Sequence, residues 1–127
     1  MKILKQKTPF NINKIIDSVS CSNTQKNILG LDLGLISYNE AYDLQIRLFE
    51  LIRSDDRPGA ILVLEHYPVI TIGSNRNTGN LLANRKKLKD QNIELVQSDR
   101  GGDITLHAPG QVVCYTILNL VRIKKDL

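Results

Sequence analysis

The stretch Arg100-Gly101-Gly102-Asp103-Ile104-Thr105-Leu106-His107-Ala108-Pro109-Gly110-Gln111 constrains this chain more than any other part of it. Paired glycines let the main chain take a positive φ or come close to a ligand, and Pro109-Gly110 marks a second sharp turn a few residues later. A strand that only fills a core would place Val, Ile or aromatic residues between two such turns. Here the segment holds one cation, one hydroxyl and one imidazole. The pattern reads as a binding site in which polar groups are held in position.

The flanking sequence supplies short strands and two well-marked helical patterns. Ile28 to Leu33 predicts a strand. Ser37 and Glu40 have capping-box spacing, and Ala41, Leu44, Leu48, Leu51 and Ile52 then line one helical face. Asp43 and Arg47 are spaced to pair on the opposite face. The aliphatic run Ala60 to Leu64 is short enough to be a strand covered on both faces. Pro68 interrupts the ladder, and Val69 to Ile72 resumes it until Gly73. Leu81, Leu82, Arg85 and Leu88 suggest a second helix with one apolar stripe. Ile93 to Val96 returns to strand, and the glycine pair turns it. Asp103 to Leu106 with Val112 to Leu118 is expected to complete an antiparallel pair. Strands mixed with helices make this an α/β or α+β sheet domain.

Composition excludes several classes. No apolar run approaches the roughly 18 residues that span a bilayer, and two cysteines give no disulfide framework, which fits a reducing compartment and a cytoplasmic location. The net charge of +4 resides in residues 1–27, a polar, basic N-terminal extension with Lys2, Lys5, Lys7, Lys14 and Lys26 against Asp17, while the remainder is balanced. No nucleic-acid motif or interleaved aromatics accompany it, so no nucleic-acid partner is expected. Ile12, Ile15, Ile16 and Val19 recur at helical spacing within this extension, which otherwise reads as a surface arm.

Arg100 through Gln111, followed by an apolar strand with Tyr115, resembles the signature Arg-Gly-Gly-x-x-Thr-x-His-x-Pro-Gly-Gln of the octanoyltransferases of lipoate biosynthesis, the lipoate-protein ligase B family. Glu65-His66-Tyr67-Pro68-Val69-Ile70-Thr71-Ile72-Gly73 is similar to that family's Glu-His-x-Pro-x-x-Thr-x-Gly segment, and Leu33-Gly34 through Gln45 to its opening strand and helix. The resemblance implies a mixed, largely antiparallel sheet with flanking helices, as in the biotin and lipoate protein ligase catalytic domain. Residues 28–127 would form its N-terminal portion and leave a sheet edge to be covered.

For function, the resemblance implies transfer of an octanoyl group from octanoyl-acyl carrier protein to a lysine of lipoyl domains, those of 2-oxoacid dehydrogenases and the glycine cleavage H protein. A Cys takes the acyl group as a thioester and a neighbouring Lys favours its thiolate, with no metal, nucleotide or redox cofactor. Those residues lie in Lys-Ile-Ala and Pro-Cys-Gly contexts that these 127 residues do not contain, so the chain alone is expected to be inactive. The substrate-binding set implied is Arg100, Gly101, Gly102, Asp103, Ile104, Thr105, Leu106 and His107.

Each of these residues has a plainer rival reading. Arg100 could be a surface cation beside Asp99 or Asp103. His107 could be a satisfied structural histidine, Thr105 a residue chosen for β propensity, and the glycine pair a tight hairpin. His66 reads as structural. Cys114, seven residues after His107, invites a Cys–His nucleophile, but the run Val112 to Leu118 reads as a buried strand in which a small thiol packs. Arg85, Lys86, Lys87 and Lys89 read as a wet helix face, or as a docking patch for an acidic carrier protein. Three alternatives stay open: a generic sheet-edge interaction protein with a fortuitous motif, a catalytically dead module that binds carrier or lipoyl domain, and an ATP-dependent lipoate-protein ligase. The last would show an Arg-Arg-x-Ser-Gly-Gly-Gly run, which Gln97-Ser98-Asp99-Arg100-Gly101-Gly102 does not supply.

Overall fold

The computed structural model describes residues 2–5, 10–21, 27–74, 81 and 83–123. Their order is β1 (Lys2–Lys5), α1 (Ile12–Ser20), β2 (Leu29–Ile36), α2 (Tyr38–Ser54), β3 (Gly59–His66), β4 (Val69–Ile72), α3 (Arg85–Asp90), β5 (Glu94–Gln97), β6 (Ile104–His107), β7 (Val113–Leu118) and α4 (Leu120–Ile123). Two compact units result, one formed by residues 1–64 with 112–127 and the other by residues 65–111. The α/β class expected from the sequence is therefore the one observed. No helix among the described residues is long and apolar enough to cross a membrane.

The first unit contains a four-stranded sheet in the order β1-β2-β3-β7, with β1 parallel to β2 and β7 antiparallel to β3. Its helix α2 begins where the sequence says it should. The Ser37 hydroxyl accepts from the Glu40 amide (3.3 Å) while the Glu40 carboxylate accepts from the Ser37 amide (3.1 Å), so two amides left over at the helix start are satisfied reciprocally. Ala41, Leu44, Leu48 and Ile52 recur at steps of three or four and form its buried face. They pack with Leu29, Leu31 and Leu33 of β2 and Ala60, Leu62 and Leu64 of β3 in one apolar core. Burying each large aliphatic side chain there contributes about 1.5–3 kcal/mol.

The N-terminal segment takes part in this core. The isoleucine and valine spacing of residues 12–19 does form a helix, capped by the Asn11 side chain on the Lys14 amide (3.1 Å), and Ile15 and Val19 are buried. Arg47 of α2 donates to Asn13 of α1 (2.8 Å) and so ties the two helices, where the sequence suggested a pair with Asp43. The last turn of α1 carries no basic residue of its own. Its carbonyls at Val19 and Ser20 instead accept from the guanidinium of Arg57 (3.0 and 3.4 Å), a buried cation paired with Asp55 at 3.1 Å. This places positive charge at the negative end of the helix dipole.

Two expectations for this unit need correction. The run Ala60 to Leu64 is covered on one face only: Ala60, Leu62 and Leu64 are buried, but Val63 is 40% exposed. Cys114 is exposed rather than buried. The ladder pairs it with Val63, and strand alternation then puts Val113, Tyr115 and Ile117 against the core and Cys114 on the outward face.

The second unit holds a three-stranded sheet in the order β5-β4-β6, with β5 parallel and β6 antiparallel to the central β4. This overturns the antiparallel pair expected between β6 and β7, since β6 lies on β4 and β7 on β3. It equally overturns a glycine hairpin between β5 and β6, because β4 stands between them. The physical reason is burial. All four residues of β4 are buried, and a strand that apolar is stable in the middle of a sheet rather than at its rim. Helix α3 starts at Arg85, capped by the Asn84 side chain on the Lys87 amide (2.8 Å), and buries Leu88. Leu81 precedes it, so the predicted stripe is shorter than expected, and Leu82 lies outside the described residues.

Candidate functional site

Because β5 and β6 flank β4, the loop between them must cross the end of β4, and the Arg-Gly-Gly sequence makes that crossing. The Gly73 amide donates to the Asp103 carbonyl (2.7 Å), and the Ser74 amide donates to the Arg100 carbonyl (2.9 Å). A Cβ at Gly73 would lie 2.2 Å from the Gly102 oxygen, a separation no side chain tolerates. Gly102 itself adopts φ +91, the left-handed region that favours glycine. The pairing of Gly73 with Gly102 is thus a main-chain contact that both sequence motifs exist to permit.

Arg100 is half-buried and closes this crossing from within. Its Nε donates to the Thr71 hydroxyl (3.1 Å). Its Nη2 donates to the Thr71 hydroxyl, the Thr71 carbonyl and the Asp103 carbonyl (each 3.0 Å), and its Nη1 donates to the Gly101 carbonyl (2.9 Å). The surface-cation reading fails on this geometry. The planar fork of guanidinium donors is matched to oxygens fixed on two different segments, which a lysine ammonium could not do.

The other end of the β4–β6 pair brings together the two histidine-bearing motifs. The Gly110 amide donates to the Glu65 carboxylate (2.8 Å), docking the Pro-Gly turn, and Gly110 has φ +90. The rings of His66 and His107 meet edge to face with centroids 5.6 Å apart. His66 is fully buried, in keeping with its structural reading. His107 Nδ1 lies 3.1 Å from the Gln111 side-chain oxygen. That oxygen accepts only, so the neutral tautomer satisfying it carries its proton on Nδ1 and leaves a lone pair on Nε2.

The residues expected to bind substrate fall into two groups. The register pairs Thr71 with Thr105 and Val69 with His107, so these four share one face of the sheet, and Arg100 reaches that face through the Thr71 hydroxyl. Ile104 and Leu106 project from the opposite face. Gly101, Gly102 and Asp103 contribute main-chain geometry at the crossing. Sequence reasoning missed Thr71 and Gly73 as partners of the Arg-Gly-Gly loop, although both lie in a motif it had singled out.

A separate cleft of about 610 Å³ opens beside α3 and β5, with Ile72, Leu88, Ile93 and Leu95 as its apolar lining and Arg85 and Lys89 as its cations. None of Arg100 to His107 lines it. Arg85, Lys86, Lys87 and Lys89 are all exposed on α3. Among the described residues no three His, Cys, Asp or Glu side chains are grouped so as to hold a metal ion.

Comparison with known proteins follows the same segments. The lipoyl protein ligase A/B catalytic domain matches residues 37–127. An octanoyltransferase of Clostridium kluyveri is 42% identical over 93 residues, which is 73% of this chain and 40% of that protein. One from Syntrophotalea carbinolica is 46% identical over 96 residues, 76% of this chain and 42% of that protein. One from Dictyoglomus thermophilum is 42% identical over 100 residues, 78% of this chain and 43% of that protein. The chain therefore spans about two fifths of the length of these relatives.

Proposed function

Because this chain belongs to the lipoyl protein ligase A/B catalytic-domain family, we propose that it supplies the acyl-donor side of an octanoyl transfer reaction, in which octanoyl passes from an acyl carrier protein to the lysine of a lipoyl domain. The lipoyl domains in view are those of 2-oxoacid dehydrogenases and the glycine cleavage H protein, and the reaction would run in the cytoplasm. One observation carries the reading: His107, Thr105 and the Arg100–Thr71 clasp share a face, with His107 oriented by Gln111.

In this reading the crossing loop is a rigid ledge. Arg100 is a positioning residue whose guanidinium is spent on holding Gly101, Thr71 and Asp103, so it shapes the ledge instead of meeting the thioester. Exposed Gly101 and Gly102 lack side chains, which lets an acyl chain or thioester carbonyl approach the backbone. His107 presents Nε2 as an acceptor for an N–H on the substrate arm. Acyl transfer from one thioester needs a thiolate to attack the carbonyl carbon and the carrier thiolate to leave, after which a lysine amine displaces the enzyme sulfur. The family resemblance assigns these steps to a Cys and a Lys in Pro-Cys-Gly and Lys-Ile-Ala contexts, and the residues described above supply the surface on which the donor is held. The relatives are octanoyltransferases, and the sequence before Gly101 does not supply the arginine- and glycine-rich run of the ATP-dependent ligases; both favour nucleotide-independent transfer.

The test is a titration of the chain with octanoyl-acyl carrier protein and, separately, with the unacylated carrier. Tighter binding of the octanoylated form is expected, and equal affinities would overturn the acyl-site reading.

A further inference from the structure

The cleft beside α3 and β5 is shaped by the way that helix ends. Asn92 adopts φ +53, the left-handed conformation in which helices commonly stop, and an ending of this kind returns the following residue to the helix. The Asn92 amide donates to the Lys89 carbonyl (3.0 Å) and the Ile93 amide donates to the Leu88 carbonyl (2.9 Å), so Ile93 is brought back against the last turn of α3. β5 then runs beside β4, with Leu95 opposite Ile70 and Gln97 opposite Ile72. Strand alternation puts these four on the face of the sheet opposite Thr71 and Thr105. Ile72, Leu88, Ile93 and Leu95 give the cleft an apolar floor on that face, away from the imidazole of His107.

Spacing selects the cations of this cleft. Arg85, Leu88 and Lys89 stand at i, i+3 and i+4, on one side of α3, and Leu88 is the residue that side buries. Arg85 and Lys89 line the cleft, whereas Lys86 and Lys87, between them in sequence, do not. Among the described residues neither the Arg85 nor the Lys89 side chain has a hydrogen bond or an ion pair, so both charges are uncommitted. Glu94 is the one carboxylate in the lining, which leaves the balance positive. The volume, about 610 Å³, is that of a small-molecule site.

We propose that this cleft binds a small amphipathic anion, an unbranched aliphatic chain with a carboxylate or phosphate head. The chain lies on Ile72, Leu88, Ile93 and Leu95 and leaves water there, which is the source of the affinity. The head meets Arg85, whose planar fork accepts two oxygens at once, and Lys89 one helical turn further on supplies a second charge. A cationic ligand would be repelled at that end, and a neutral chain would leave both cations unused. The cleft shares no residue with Arg100 to His107, so the inference stands apart from the transfer reading.

The probes are octanoate, octyl phosphate, hexanoate, uncharged octanamide and inorganic phosphate, each titrated into the chain and followed by calorimetry and by amide NMR shifts. Octanoate, octyl phosphate or both should bind and move the amides of Leu88, Ile93 and Leu95, the tighter of the two naming the head. Hexanoate should bind up to about tenfold more weakly than octanoate, because two methylenes are lost from the apolar floor. Octanamide and inorganic phosphate should each bind more weakly than the tighter anion. The double variant Arg85→Gln, Lys89→Gln should weaken that anion about fivefold, and Lys86→Gln, Lys87→Gln should leave it within about twofold. All four positions are exposed, so both variants should unfold at the parental temperature. Octanamide as tight as both anions, inorganic phosphate as tight as octyl phosphate, or equal losses in the two double variants would overturn the inference. So would shifts confined to Thr105 and His107, an outcome that would support the acyl site alone. Shifts at Leu88, Ile93 and Leu95 that survive His107→Ala would support the cleft whatever the fate of the transfer reading.

Discussion

Arg100 and Thr71 are separated by 29 residues and joined by three hydrogen bonds, two to the hydroxyl and one to the carbonyl, between 3.0 and 3.1 Å. Thr71 is fully buried, so this contact is shielded from competing water. It locks the Arg-Gly-Gly crossing to the central strand of the second unit, and the conformation of the candidate site depends on it.

Thr71→Val keeps the shape of the side chain and removes the hydroxyl acceptor. Loss of hydrogen bonds to a charged donor should cost about 1.5–3 kcal/mol, read by urea denaturation. Arg100→Lys should cost a similar amount, because a single ammonium cannot reproduce the fork. A stability change below about 0.5 kcal/mol in both variants would show that the clasp does not hold the loop.

Gly73→Ala should destabilise by about 1–3 kcal/mol or more, since its methyl group meets the backbone oxygen of Gly102 and the backbone cannot yield as a side-chain tip does. Gly101→Ala is the control. Nothing lies within 4 Å of a Cβ built there, so its unfolding transition should stay close to that of the parent. Equal effects of the two substitutions would contradict the close approach of the two loops.

Arg57→Met removes the buried cation that caps α1 and leaves the carbonyls of Val19 and Ser20 short of a donor. The expected loss is about 2–4 kcal/mol, with early hydrogen exchange at the C-terminal end of α1. If α1 remained protected, Arg57 would not be its cap.

His107→Ala, placed in a protein that carries the remaining family residues, should lower the rate of octanoyl transfer by about a hundredfold while leaving the unfolding temperature nearly unchanged. Gln111→Leu should give a smaller loss, since it frees the ring without removing it. A His107→Ala protein with parental kinetics would remove the imidazole from the site.

Sequence reasoning located α2 to its cap, the buried face of α2, and the polar segment that became the candidate site, because those signals are local: capping spacing, helical period and glycine and proline turns. It failed where the answer depended on which strands are neighbours. Nothing within Asp103 to Leu118 reveals that β6 joins β4 while β7 joins β3 across 59–64, and proximity along the chain favoured the wrong hairpin. Cys114 was misplaced for a related reason, since an uncharged strand such as Val113–Leu118 looks alike from either side until its register is known. The role of Arg57 was invisible in sequence, because its partners at Val19 and Ser20 are main-chain carbonyls, which leave no mark on residue choice.

The β3–β7 ladder sets Leu64 opposite Val113, so the whole span 65–112 is looped out between two residues that are neighbours in a sheet. Closing so long a span is entropically expensive and must precede any gain from that ladder. During vectorial synthesis, β3 therefore waits with one side unpaired until the chain has emerged as far as Val113, and premature pairing of that strand with other chains is the hazard this topology creates.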